Sequence, residues 1–336
     1  MNKGYNATVV VLNRNGEKII DKCLSSIMNQ SIKNIEVIVV DNASTDNSIK
    51  VINSFFIDKL IINDRNLGFT GGCWIGIKNA NSEYVAFINN DAILNVDWME
   101  RMLISIKKDS KIGAIGGKVL KPDGKIDSIG AHIKYPSGRS GFSRDYESGN
   151  IEDVASLPGS AFMVRKSIAL KIGFLDPDYF VLYDETDFFW RLRLAGYRCV
   201  YDPQTISWHF HAYTFDRDSY WTYFRREYFY LRNMMWSNLK NLDRRHIVPY
   251  VIFEICFAIK QALKLLLFVN KNKTVKEYVK AYYLAMITTL LSVRKLILKR
   301  RFVQSIRKVP DDCVLKYHIK DENAFSKLIL RLTGLK

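Results

Sequence analysis

The chain has 336 residues, 48% of them hydrophobic, and a formal net charge of +16. That is enough apolar material for one large domain or two smaller ones, and the cationic surplus points to an anionic partner: phosphorylated substrates, lipid headgroups or nucleic acid. The five cysteines have no paired spacing, which excludes a zinc ribbon and a disulfide framework and favours a reducing compartment. With no charged-then-apolar leader ahead of the first apolar run, the catalytic part is expected in the cytoplasm.

Residues 8–12 form a short β-branched run, the pattern of a buried strand. Residues 16–30 place Ile19, Ile20, Leu24, Ile27 and Met28 at helical spacing. A second buried strand is predicted over 35–40, a helix over 47–56, a short strand over 59–62, a helix over 74–80 and a central strand over 84–88. This alternation predicts βαβ units: an α/β fold with a mostly parallel sheet flanked by helices. From Gly113 the pattern shifts to short strands (114–120, 126–133, 160–164), a Gly/Ser/Arg-rich loop over 138–150, an acid-opened helix over 184–195 and a strand over 198–201. Beyond residue 220 come an aromatic and arginine-rich stretch, then two apolar helical segments, 247–269 and 278–298, and a basic run over 295–307. The charges Glu254, Lys260 and Lys264, with the polar Gln261, make a spanning helix borderline. An interfacial helix on an anionic cytoplasmic leaflet is the favoured expectation, with a helical cap on the domain as its alternative.

Five constellations carry chemistry. Asp41-Asn42 ends the second strand, at the carboxyl edge where open α/β sheets bind ligands, and can hydrogen-bond a base or ribose. Asn66-Leu67-Gly68-Phe69-Thr70-Gly71-Gly72 opens a helix, where glycines allow close approach and a helix N-terminus favours anions. Asn66, Gly68 and Gly71 are its candidate phosphate or sugar contacts. Asn89-Asn90-Asp91 ends the central strand. Magnesium or manganese is usually held by one or two carboxylates plus substrate phosphates, so Asp91 is the candidate ligand, with Asn90 orienting it or the sugar. Tyr183-Asp184-Glu185-Thr186-Asp187 crowds three acids into four residues; one of them, with a raised pKa, would suit a general base. Acids are also simply favourable in any helix's first turn, and Asp187 can pair with Arg191. Trp208-His209-Phe210-His211 holds two of the five histidines, and His209 is the better candidate to complete a metal shell.

Together and in this order, these segments resemble the inverting family 2 glycosyltransferases with a GT-A fold, most nearly their rhamnosyltransferase-like branch. Asn13-Arg14-Asn15-Gly16 stands where that branch has Asn-Tyr-Asn-Gly. Val40 to Asp46 matches its Val-Asp-Asn-Ala-Ser-Thr-Asp, and Asn89-Asn90-Asp91 its reduced Asp-x-Asp motif. Residues 159–165 and 175–187 match its Gly-x-x-(Met)-x-x-Arg strand, with Phe162 at the methionine position, and the acidic stretch that follows. The resemblance covers about residues 6–235 and implies a catalytic domain over 1–235, while composition points to a helical, basic, membrane-associating region over 236–336.

The roles it implies are nucleotide-sugar contact for Asn13, Asp41, Asn42, Asn66, Gly68, Gly71 and Asn90. Asp91 and His209 would bind a divalent cation, Mg2+ or Mn2+. Glu185 would be the catalytic base, with Asp184 its alternative because the family's Glu-Asp order is inverted here. Arg14 replaces the usual tyrosine. The implied reaction is a metal-dependent single displacement from a nucleoside diphosphate sugar to a saccharide or lipid-linked saccharide, in cell-surface polysaccharide synthesis on the inner face of the membrane. A sugar nucleotidyltransferase is the enzymatic alternative, though residues 13–18 lack its glycine-rich basic loop. A non-catalytic nucleotide-sugar-binding protein is the other, though both Asp91 and Glu185 are present. No reader motif supports nucleic acid.

Overall fold

The computed structural model describes residues 4–142, 149–211, 223–268, 273–317, 319–320, 326 and 330. Part of the loop expected over 138–150, and residues 220–222 of the aromatic stretch, lie outside the described residues.

Strands β1 (Ala7–Asn13), β2 (Ile35–Asp41), β3 (Lys59–Ile62) and β4 (Tyr84–Asn89) run parallel in the order β3-β2-β1-β4. β1 is buried along its whole length and β2 beyond its first residue, as expected of strands covered on both faces. The cover comes from α1 (Ile20–Met28), α2 (Ser48–Ile52) and α3 (Gly68–Asn79). α1 buries Ile20, Cys23, Leu24 and Ile27, one helical stripe. α3 lies close on β1 because Gly76 has no side chain: a Cβ there would overlap Val10.

The chain then adds β5 (Ala92–Leu94), α4 (Trp98–Lys107), β6 (Ile112–Leu120), β7 (Ile126–Ser128), β8 (Ala131–Tyr135), β9 (Ser140–Phe142), β10 (Glu152–Asp153), β11 (Ala161–Arg165), α5 (Lys166–Lys171), α6 (Asp184–Leu194) and β12 (Arg198–His209). β11 enters antiparallel between β4 and β6, and β12 runs parallel to β6. The main sheet is thus mixed and mostly parallel, in the order β10-β12-β6-β11-β4-β1-β2-β3. Separate apolar clusters fill its two faces, one around Val9, Val11, Ile88 and Trp98, the other around Val10, Phe87, Phe162 and Phe188.

Helices α7 (Tyr223–Asn241), α8 (Arg244–Phe268), α9 (Lys273–Leu291), α10 (Val293–Ile306) and α11 (Asp311–Leu315) follow, and β13 (Ile319–Lys320) pairs with β8. α7 runs on through residue 235. A buried ion network joins these helices to α6. Lys240 Nζ lies 2.7 Å from Asp176 Oδ2 and 3.0 Å from Asp187 Oδ2, while Arg191 Nε reaches Asp187 Oδ2 at 2.8 Å. Asp176 also pairs with Lys299 of α10. Burial opposes ionisation of Asp187 and Asp176, yet the neighbouring cations hold both carboxyls below their usual range.

The elements depart from expectation in five places. α2 stops at Ile52 rather than reaching residue 56: Ser54 Oγ turns back onto the Val51 carbonyl at 2.7 Å, the competition that makes serine and asparagine poor helix formers. α3 starts at Gly68, inside the glycine run, because Asn66 Oδ1 accepts the Gly68 N–H at 2.9 Å. The strand expected over 126–133 is two, β7 and β8. The strand expected over 198–201 continues to His209, its register shifting between Asp202 and Ile206, so that Asp202-Pro203-Gln204 is a bulge and not a terminus. α4, which carries Trp98 and Met102 into the core, has no counterpart in the expected elements.

Candidate active site

The carboxyl ends of β1, β2 and β4 meet through one buried asparagine. Asn13, the last residue of β1, donates from Nδ2 to Asp41 Oδ1 at 2.7 Å and to Ser44 Oγ at 3.2 Å. Its Oδ1 accepts from Asn90 Nδ2 at 2.8 Å. Asp41 also accepts from the Ser44 backbone at 2.9 Å and from Ser44 Oγ at 2.5 Å. Asn42 faces the other way, donating to the Gly68 carbonyl at 2.9 Å and accepting from Asn63 at 2.8 Å. The Arg14 guanidinium donates to the Asn42 carbonyl at 2.9 Å.

These residues line a cleft of about 690 Å³ walled by Asn13, Arg14, Asn42, Asn66, Gly68, Asn90 and Asp91, with Phe180 and Val181 opposite. Gly68 is required here: its φ is +71°, and a Cβ would strike the Phe180 carbonyl. Gly71 is not part of the wall; the room it leaves is taken by Leu67. Asp41 sits behind the wall, fully buried.

Asp91 lies two residues beyond β4. The long β12 places His209 opposite Ala92, and His209 Nε2 lies 3.1 Å from Asp91 Oδ1. The other ring nitrogen, Nδ1, is 4.0 Å from Asp127 Oδ2, and His211 Nε2 is 2.5 Å from the same oxygen. Asp127, His209 and His211 bring three ligand atoms within 4.8 Å of one another. Asp127 was not anticipated, since a lone acid in a short polar strand carries no signal of its own. The donor set joins carboxylate oxygens, which suit manganese or magnesium, to imidazole nitrogens, which suit softer divalent metals. The Asp127 carboxylate raises the pKa of His211, chiefly by accepting its hydrogen bond.

Glu185 reaches the same sheet edge from another direction. The Asn89 N–H donates to the Ser160 carbonyl at 2.9 Å, and the neighbouring Gly159 lies against the Glu185 side chain, 3.5 Å from its Cδ to an ideal Cβ position. Glu185 lines a second cavity of about 760 Å³ together with Ser140, Leu182, Tyr183, Arg226, Glu227 and Tyr230. Residues 180–183 form the partition between the two spaces: Phe180 and Val181 face the first, Leu182 and Tyr183 the second. Burial pushes both acidic carboxyls of α6's first two residues up. Asp184 goes well above the usual range because the Glu185 charge adds to burial, while a hydrogen bond from Asp184 opposes the rise at Glu185. Burial thus favours the protonated form of both carboxyls, more strongly at Asp184. Asp184 Oδ2 is buried and has no hydrogen-bond partner among the described residues.

The chain is similar to several known proteins. The model of glycosyl transferase family 2 matches residues 8–173. A Haemophilus influenzae protein described as an uncharacterized glycosyltransferase is 34% identical over 113 residues, 32% of this chain and 35% of its own length. The poly-beta-1,6-N-acetyl-D-glucosamine synthase of Staphylococcus aureus is 26% identical over 200 residues, 58% of this chain and 47% of that one. The chain thus spans half or less of the length of these curated relatives. Among solved structures, S. aureus TarS 1–349 in complex with UDP superposes with a TM-score of 0.51 at 14% identity, covering 86% of this chain and 91% of that one. GalNAc-T7 with UDP, GalNAc and Mn2+ gives 0.52 at 15%, covering 61% and 43%. At such identities the likeness is one of fold, the GT-A-like sheet with a helical C-terminal region.

Proposed function

We propose that this chain, whose residues 8–173 are a glycosyl transferase family 2 domain, moves a sugar from a nucleoside diphosphate donor to an acceptor hydroxyl with inversion at the anomeric carbon. The observation that carries the reading is the Asn13 bridge, which ties Asp41 to Asn90 beside Asp91, at the edge where Glu185 also arrives. TarS with UDP and GalNAc-T7 with UDP and Mn2+, which share the fold, support a nucleotide-sugar donor.

In this account the nucleotide lies in the cleft against Asn13, Asn42 and Asn66, and its diphosphate meets the α3 N-terminus at Gly68. Asp41 orients the wall from behind through Asn13. Asp91 and His209, with Asp127 and His211 alongside, would hold a divalent cation. When bound, the cation supplies positive charge that stabilises the departing diphosphate. Glu185 takes the acceptor's proton while the acceptor oxygen attacks the face opposite the leaving group. One displacement through an oxocarbenium-like state then inverts configuration. The acceptor enters through the second cavity, whose two tyrosines, Arg226 and Glu227 suit a saccharide. Rhamnose as the transferred sugar rests on the resemblance to the rhamnosyltransferase-like branch.

The acceptor is proposed to be lipid-linked and the protein to sit on the inner leaflet. α8 exposes Val248, Val251, Ile255 and Ile259 as one stripe, and α10 exposes Ile297, Leu298 and Phe302 near the exposed cations Arg294 and Arg301. Residues Arg244–Leu263 are long and apolar enough to cross a membrane, but their lysine and glutamate favour a helix lying in the interface. Flotation with vesicles of anionic phospholipid tests this: Ile255→Glu with Ile259→Glu should stay in the aqueous fraction, and undiminished flotation contradicts it. The catalytic reading is tested by incubating the protein and Mn2+ with a panel of nucleoside diphosphate sugars and measuring nucleotide release. No turnover or binding with any donor contradicts it.

A further inference from the structure

The partition between the two cavities has a backbone that its side chains do not favour. Phe180, Leu182 and Tyr183 all adopt positive φ, at 68°, 68° and 65°, a region few non-glycine residues enter and one that persists only where the surroundings over-determine it. The restraint comes from one residue of the C-terminal helices. Asn233 on α7, fully buried, donates from Nδ2 toward three carbonyls of this segment: Tyr179 at 3.1 Å, Val181 at 2.9 Å and Leu182 at 2.7 Å. Its Oδ1 is fixed in turn by Arg232, whose Nε and Nη2 donate to it at 3.0 and 2.8 Å. The same Nη2 also reaches the carbonyls of Asp178 and Tyr179 at 2.9 and 3.0 Å. The far side of the partition meets the donor cleft directly, where the Phe180 carbonyl accepts from the Thr70 N–H at 3.2 Å. Tyr183 leads straight into α6 and Glu185.

We infer that Asn233 is a positioning residue for Glu185: it clamps the left-handed strap 179–183 and so sets where the base projects between donor and acceptor. The inference rests on the proposed function for Glu185. It makes α7 part of the catalytic apparatus as well as of the C-terminal helical region. Asparagine is the residue type required, because all three partners on the strap are acceptors while Arg232 needs an acceptor on the other side.

Asn233→Asp keeps the shape and presents a second acceptor to those carbonyls. The purified variant should show amide hydrogen exchange at residues 181–185 faster by about tenfold or more, with exchange in β1 and β4 unchanged. Its kcat per folded molecule should fall by about ten- to a hundredfold, and the acidic limb of its pH profile should move. A residue that only stabilises the fold would lower the melting temperature and leave profile and kcat of the folded fraction in place. Arg232→Gln, which loosens the same clamp from behind, should show both effects in smaller measure and serves if Asn233→Asp does not fold. Wild-type exchange rates across the strap in the folded variants, or wild-type kcat, would overturn the clamp. Failure of the wild-type protein to turn over any donor would instead refute the catalytic reading, and the exchange comparison would still decide whether Asn233 holds the strap.

Discussion

Replacing Asn13 by alanine removes a side chain that joins three strand ends. Asn13 is 1% exposed, so water does not take its place without rearrangement. The Asp41 carboxylate loses its 2.7 Å donor and keeps two others, the backbone and hydroxyl of Ser44. A hydrogen bond to a charged group contributes about 1.5–3 kcal/mol and a neutral one about 1 kcal/mol. With the Asn90 bond also gone, the summed loss is about 3 kcal/mol. For a domain of this size, that lowers Tm by roughly 6–12 °C. Part of the loss falls on the bound state, because Asn13 and Asn90 both wall the cleft: affinity for the donor's nucleoside diphosphate with Mn2+ should weaken about tenfold or more, equivalent to about 1.4 kcal/mol. Thermal unfolding and calorimetric titration measure the two separately. A variant that melts within about 2 °C of wild type and binds the donor's nucleoside diphosphate with unchanged affinity would refute the idea that this bridge organises the site.

Glu185→Gln should lower kcat by about 10²–10⁴-fold while nucleotide affinity stays close to wild type. The wild-type rate should rise with pH through a value above the ordinary glutamate range, because burial raises the Glu185 pKa, and a limb at the ordinary value contradicts that placement. Asp91→Asn and His209→Ala should each lose the Mn2+-dependent part of nucleotide binding and retain the metal-independent part, as read by titration with and without chelator. Lys240→Met leaves Asp176 and Asp187 facing each other in the interior and should cost about 3–5 kcal/mol in urea unfolding at neutral pH. Both carboxyls are held below their usual range, so the network's contribution is present above that range. It should disappear as pH falls through the depressed values.

Much of the site can be read from sequence because strands deliver it. Asp41, Asn42, Asn90 and Asp91 each follow an apolar run, and parallel pairing carries such termini to one edge. What escapes is set by long-range geometry. Asp127 joins the histidines only because β7 pairs back on β6, and nothing in its neighbours distinguishes it from a turn acid. β12 reads as a short strand because Asp202-Pro203-Gln204 looks like a stop; the bulge that tolerates them also brings His209 to Asp91. Asn233 lies among aromatics and arginines, and its three carbonyl partners are some fifty residues away. The C-terminal helices read as membrane-seeking from composition, whereas the buried Lys240 and Asn233 that tie α7 to the acidic helix are polar residues no apolar pattern reveals.

The central claim is that three acidic strand and helix ends act on one sugar nucleotide, and product stereochemistry tests it most directly. Transfer from an α-linked nucleoside diphosphate sugar, followed by proton NMR of the isolated product, should show a β-linkage, made by the wild-type protein and by neither Glu185→Gln nor Asp91→Asn at comparable rate. A retained α-linkage, or undiminished transfer by either variant, would contradict the account.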